Sequence, residues 1–116
     1  MRLQDKITIV TGAGGGFGEA IAKRYAIEGA KVVVVDLRGG EAARVAGEIG
    51  AAALAVTADV SVAADVASVV AQTVERFGPP HVLVNNAGTT YRNQPLLGVD
   101  EAAFDHVFRV NVKSIY

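Results

Sequence analysis

Residues 11–18 read TGAGGGFG, directly after the apolar run ITIVT at 7–11 and directly before a stretch with helical periodicity. A strand, a glycine-rich turn and a helix in that order bring the unpaired N–H groups of a helix N-terminus to the end of a strand, where an anion can sit. Gly12 is placed to make the tight turn, Gly16 to let backbone approach a pyrophosphate, and Gly18 to let helix pack closely on strand. Gly14 and Phe17 complete this candidate binding turn. A merely flexible turn is the plain alternative, and glycines alone do not decide between the two. The setting does: the strand and helix are in place, and an acidic residue, Asp36, closes the next strand.

Working outward, apolar runs alternate with helical patterns. A helix over residues 16–28 carries Phe17, Ala20, Ile21 and Tyr25 along one stripe and stops at Gly29. KVVVVD at 31–36 is a continuous β-branched run, as expected of a parallel strand covered on both faces. A second helix at 40–48 and a weaker strand at 52–56 follow. Ser61 is placed to cap a third helix with Val62, Val66, Val69, Val70, Val74 and Phe77 at helical spacing. Valine is a poor helix former, so burial is expected to hold this helix. A fourth strand at 82–85, a polar loop at 89–99 and a helix capped by Asp100, with Phe104, Val107, Phe108, Val112 and Ile115, complete the chain. With right-handed crossovers, β-α-β-α-β-α-β-α folds as a doubly wound α/β parallel sheet of strand order 3-2-1-4.

Composition narrows the function classes. At 116 residues the chain is one domain at most, and 51% hydrophobic with 20% charged residues argues for a packed core. The formal net charge is −1, with lysine and arginine scattered, which leaves no electrostatic footprint for nucleic acid or an anionic membrane. Cysteine is absent, so neither disulfides nor a thiolate zinc site is expected. MRLQDK runs into ITIVTG without the apolar stretch of a signal peptide, and no run reaches the ~18–20 apolar residues of a membrane span. A cytoplasmic location is the expectation.

The spacing Thr11-Gly12-x-x-x-Gly16-x-Gly18 is not the plain G-x-G-x-x-G pattern. It resembles the T-G-x-x-x-G-x-G motif of the classical short-chain dehydrogenases/reductases. The resemblance continues in order through Asp36, Asp59-Val60, NNAG at 85–88 and Asn111, and so covers the whole chain. It implies the first half of a Rossmann-type fold in an NAD(P)-dependent oxidoreductase. Such an enzyme moves hydride between nicotinamide and a small alcohol or ketone, and a homo-oligomer, dimer or tetramer, is implied for the complete protein. A non-catalytic NAD-binding or sensing module is the alternative. A methyltransferase with another adenosine cofactor is a third, against which NNAG and Asn111 speak.

Asp36, with Leu37 beside it, ends the second strand, where a carboxylate can accept both ribose hydroxyls of an adenosine. It also repels a 2′-phosphate: two like charges ~4 Å apart at an effective dielectric of ~20 cost about 4 kcal/mol. NAD is therefore expected over NADP, although Arg38, two residues on, attracts a phosphate. The resemblance implies that Asp59 and Val60, at the end of the third strand, hold the adenine; Asp59 can equally help to cap the next helix. Asn86, Ala87 and Gly88 let backbone pass beneath the cofactor ribose, while the asparagine ties strand ends together.

Asn111 lies on the apolar face of the last helix, where a buried amide must be hydrogen-bonded. It is either a satisfied core asparagine or, as the resemblance implies, a member of an Asn-Ser-Tyr-Lys catalytic set supporting a water relay to the lysine. The tyrosine of that set needs a lysine four residues on. Tyr25 has Gly29 there, Tyr91 has Pro95, and Tyr116 is the last residue. Residues 1–116 are thus expected to be a cofactor-binding domain cut short before the Tyr/Lys helix and inactive alone. The fourth strand is expected to be a bare apolar edge, with the last helix only partly packed.

Overall fold

The computed structural model describes residues 1–90 and 92–116; Tyr91, one of the three tyrosines weighed above, lies outside the described residues. Strands β1 (Ile7–Thr11) and β2 (Lys31–Asp36) lie side by side, and every residue in them except Lys31 is buried. Burial on both faces is why they read as unbroken apolar runs. β3 (Ala53–Thr57) pairs with β2, and β4 (Val82–Val84) with β1. All pairs are parallel, in the order β3-β2-β1-β4, with Val10 opposite both Val34 and Val84.

Helices α1 (Gly16–Ile27) and α2 (Gly39–Ile49) cover one face, where Ala22, Ala42 and Val45 pack on Val10, Val32 and Val34. α3 (Ala63–Arg76) covers the other, where Val69 meets Ile9, Val33, Val35 and Val56. Alternate residues along each of β1, β2 and β3 thus feed two separate cores. This is the doubly wound Rossmann-type sheet expected from the sequence. Among the described residues no helix is long and apolar enough to cross a membrane.

Several local expectations need correction. In α1 the buried positions are Gly18 and Ala22, whereas Phe17 is 85% exposed and Ala20 faces solvent. Close approach at Gly18 turns the small residues, one helical turn apart, toward the sheet, leaving Ile21 and Tyr25 partly buried at its flank. β3 starts one residue late, because the Ala53 N–H closes a turn onto the Gly50 carbonyl. β4 ends at Val84, where the Asn86 N–H turns back onto the Val84 carbonyl at 3.0 Å.

Ser61 does not cap α3. The cap residue is Val62, without a side-chain bond, because the Ser61 hydroxyl is spent on Asp59. The valine stripe is buried only at Val69, with Phe77 partly so; Val66, Val70 and Val74 stand half-exposed. α3 leans on the β3 side of the sheet, and a cavity of about 250 Å³ lies between Val66 and Val70 on one side and strand β4 on the other. Burial therefore holds only part of this helix.

A short 3-10 turn, Leu96–Gly98, leads to α4 (Glu101–Asn111), and Asp100 caps it as expected, accepting the Ala103 N–H at 2.7 Å. No residue of α4 is buried, and its Phe104 and Phe108 rings lie 4.7 Å apart against each other. β4 is an edge strand with Leu83 56% exposed.

Candidate functional site

From β1 the chain winds outward through β2 and β3, then returns to lay β4 on the other side of β1. The loops leaving β1 and β4 diverge at their carboxyl ends, which opens a crevice at this switch point. It has a volume of about 330 Å³ and is lined by Gly12, the Asp36–Arg38 and Ala58–Val60 segments, Asn86–Thr89, and His106 and Val110 from α4. The structure thus gathers Gly12, Asp36, Leu37, Asp59, Val60, Asn86, Ala87 and Gly88 around one opening. Phe17 is not among its lining residues.

The glycine turn is fastened to β2. Asp36 Oδ2 accepts the Gly14 N–H at 2.9 Å, and Oδ1 accepts the Arg38 N–H at 2.9 Å. A Cβ on Gly14 would stand 2.8 Å from the Asp36 carboxyl carbon, so only glycine fits beneath that carboxylate. Gly18 meets the Gly12 carbonyl so closely that any side chain there would overlap it. Gly16 differs from both. Its φ is +54°, and nothing lies within 4 Å of where a Cβ would project. The turn leaves open space at the N-terminus of α1.

A second knot ties β1 to β4. The Thr11 hydroxyl donates to the Val84 carbonyl at 3.3 Å and accepts the N–H groups of Asn86 and Ala87 at 3.1 and 3.0 Å. The Asn86 side chain donates to the Thr11 and Gly12 carbonyls at 3.0 and 3.2 Å. The asparagine thus ties the strand ends together, as its position in the sequence suggested.

Asp59 lies two residues beyond β3 rather than in it. Its Oδ1 accepts the Ser61 hydroxyl at 2.6 Å and the Ser61 N–H at 2.9 Å. These bonds, with weaker help from the charges of Arg109 and His106, hold its carboxyl below the usual aspartate range. Asp65, at the third position of α3, reaches back to accept the Asp59 N–H at 2.8 Å. The capping reading of Asp59 therefore takes the form of an Asx turn ahead of α3.

Asn111 is partly buried and spends both ends of its amide on one residue. Oδ1 accepts the Thr89 N–H at 2.7 Å, and Nδ2 donates to the Thr89 carbonyl at 2.8 Å. One hydrogen and one lone pair of that amide remain. Of the wall residues Thr89, His106 and Val110, the last was not singled out from the sequence, although the signal was available, since it adjoins Asn111 and lies one helical turn after His106.

A family model described as short chain dehydrogenase matches residues 6–116. The chain belongs to the short chain dehydrogenase family. It is 49% identical over 119 aligned residues to the 4-formylbenzenesulfonate dehydrogenase TsaC1/TsaC2 of Comamonas testosteroni, covering 100% of this chain and 47% of that protein. It is 40% identical to the galactitol 2-dehydrogenase of Agrobacterium fabrum, covering 97% of this chain and 44% of that one. Among solved structures, the 3-ketoacyl-(acyl-carrier-protein) reductase of Brucella melitensis, complexed with NADH, superposes with a TM-score of 0.96 at 50% identity. That match covers 98% of this chain and 47% of the reductase. The chain spans about half the length of these short chain dehydrogenases.

Proposed function

We propose that residues 1–116 form the cofactor-binding part of an NAD-dependent dehydrogenase or reductase acting on a small alcohol or ketone. The observation that carries this reading is the position of Asp36. Its carboxylate is fastened to the glycine turn through Gly14 and lines the same crevice as Asp59, Val60 and Ala87. Each Asp36 oxygen accepts one backbone N–H and keeps a lone pair, so the pair of ribose hydroxyls finds two acceptors.

The residues present fit a dinucleotide. Gly16 leaves room for the pyrophosphate on the N-terminus of α1, and the Asp59–Val60 turn offers a polar edge to adenine. When bound, nicotinamide supplies the hydride acceptor or donor. The chain's own residues bind and orient: the Thr11–Asn86 knot holds the crevice floor, and Asn111 holds the Thr89 peptide at its wall. Asn111 contributes to proton relay only through the one hydrogen and one lone pair that Thr89 leaves. Tyr25 has Gly29 and Tyr91 has Pro95 four positions on, so neither is followed by the lysine such a pair needs. We place the proton-transferring pair outside this segment.

NAD is the favoured cofactor. Asp36 would face a 2′-phosphate, while the Arg38 guanidinium, 3.8 Å from Asp36 Oδ1, offsets part of that repulsion. Calorimetric titration with NADH and NADPH tests the reading. Tighter NADH binding, with the difference narrowed by Asp36→Ala, is expected; tighter NADPH binding would refute the assignment, and binding of neither would refute the function.

A further inference from the structure

α1 and α2 are joined by a charged cluster centred on Arg44, and one of its contacts has nothing to do with joining helices. Arg44 Nη2 donates to the Gly14 carbonyl at 3.3 Å, inside the glycine turn. The same Nη2 reaches Glu19 at 2.8 Å and Glu41 at 3.2 Å, so three acceptors share its two hydrogens, while Nη1 donates to Glu48 at 3.0 Å and Nε to Glu41 at 3.2 Å. Lys23 joins the cluster through Glu19 and Glu48.

Two consequences follow for an anion at the turn. Gly14 is clamped from both sides, its N–H by Asp36 and its carbonyl by Arg44. Second, Glu19 lies in the first turn of α1, where its negative charge opposes any phosphate on that helix N-terminus. The Glu19 carboxyl is pushed down to about 2 by hydrogen bonds from Arg44 and then Lys23, so it is charged at neutral pH. Arg44 and Lys23 offset that charge while also pairing with Glu41 and Glu48.

We infer that Arg44 is a positioning residue for the dinucleotide pyrophosphate: it fixes the Gly14 carbonyl and neutralises Glu19 without touching the ligand. The inference rests on the dinucleotide reading above. It separates Arg44 from a plain helix–helix link, because the two roles affect different ligands.

Adenosine, which carries no phosphate, and ADP-ribose, which carries the pyrophosphate, serve as probes in NMR shift titrations of the protein. Arg44→Gln is expected to weaken ADP-ribose about tenfold, or ~1.4 kcal/mol, and adenosine less than about twofold. Adding Glu19→Gln is expected to recover about threefold for ADP-ribose, since the uncovered charge is then gone. Should Arg44→Gln fail to fold, Arg44→Lys keeps the charge without the fork and is expected to lose about threefold on ADP-ribose alone. Equal losses for both probes, or ADP-ribose binding unchanged in a folded variant, would overturn the inference while leaving the dinucleotide reading intact. No ADP-ribose binding by the wild-type protein would overturn both.

Discussion

Asn111 and Thr89 are joined by two hydrogen bonds, one in each direction, so that the end of α4 is fixed to the loop leaving β4. No residue of α4 is buried, which makes this polar clamp a main restraint on the helix. Asn111→Ala is expected to cost about 1–3 kcal/mol, the sum of two ordinary hydrogen bonds. Asn111→Asp should do no better, because its carboxylate faces the Thr89 carbonyl without a donor. Urea midpoints and amide exchange at Thr89 check this; unchanged protection of the Thr89 N–H in Asn111→Ala would show that the clamp is idle.

Arg38 and Asp36 should act in opposite directions on cofactor choice. The Arg38 side chain is largely exposed, and its guanidinium lies near both the Asp36 carboxylate and Gly15. Arg38→Ala removes a cation beside the Asp36 carboxylate, so the proposed preference for NADH over NADPH should widen by about tenfold. Competition titrations of the two cofactors against the variant measure it. A narrowed preference would mean that Arg38 points its charge elsewhere when nucleotide is bound.

Gly16 and Gly18 should fail in different ways. At Gly18 a Cβ overlaps the Gly12 carbonyl, and backbone cannot yield cheaply, so Gly18→Ala is expected to destabilise the fold by about 1–3 kcal/mol. Gly16 meets nothing but holds φ at +54°, so Gly16→Ala costs only the ~1–2 kcal/mol of that conformation. Its methyl instead enters the space proposed for pyrophosphate, and ADP-ribose affinity should fall at least tenfold. Denaturation and titration of both variants separate the effects. The positive φ also makes valine a poor probe here, since a β-branched side chain would strain the turn as well as fill it.

The sheet order was legible because it follows from rules that act on the chain locally. Four apolar runs separated by helical patterns, with right-handed crossovers, leave few arrangements, and the buried run KVVVVD announces an interior strand. What went unread depends on packing in three dimensions. Phe17 reads as part of an apolar stripe, yet close approach at Gly18 turns it to solvent. Ser61 reads as a cap, yet its hydroxyl finds Asp59 first, two residues away. In the crevice, glycines, Asp36 and the asparagines were visible because each meets a demand that few residue types satisfy. Val110 was not, since any of many side chains can line a wall.

Acid should loosen the α1–α2 pair before the sheet. Glu19 is pushed down to about 2, first by the Arg44 hydrogen bond and then by Lys23, and Glu48 is lowered by Lys23 and Arg44. A carboxylate whose folded value lies below its unfolded one, ~4.3, adds stability that is complete above that value. The contribution is lost as pH falls from there toward 2. The cluster is solvent-exposed, so added salt should weaken the effect. Urea midpoints from pH 6 to about 2 check the sign, and Glu19→Gln should flatten the acid limb. A midpoint rising over that range would contradict the assignment.

Binding and turnover should separate in the 116-residue chain. The side of the crevice proposed for adenosine is built by Gly12, Asp36 and the Asp59–Val60 segment, all within β1–β3 and the loops that follow them. Adenine nucleotides should therefore bind, although weakly. Hydride transfer needs a group that exchanges a proton with the substrate oxygen, and its ability to titrate near neutral pH sets its usefulness. Tyr25 belongs to α1 on the α1–α2 side of the sheet, and neither Tyr25 nor Tyr91 has a lysine one helical turn on. His106 lines the crevice but lies against Arg109, 3.2 Å from its Nδ1. The chain should show NADH binding by fluorescence and no alcohol-dependent NAD reduction above background. The exposed Leu83 edge should also drive self-association that Leu83→Lys relieves, read by sedimentation. Turnover with any of a broad alcohol panel, from a mass-verified chain, would make His106 the first residue to replace.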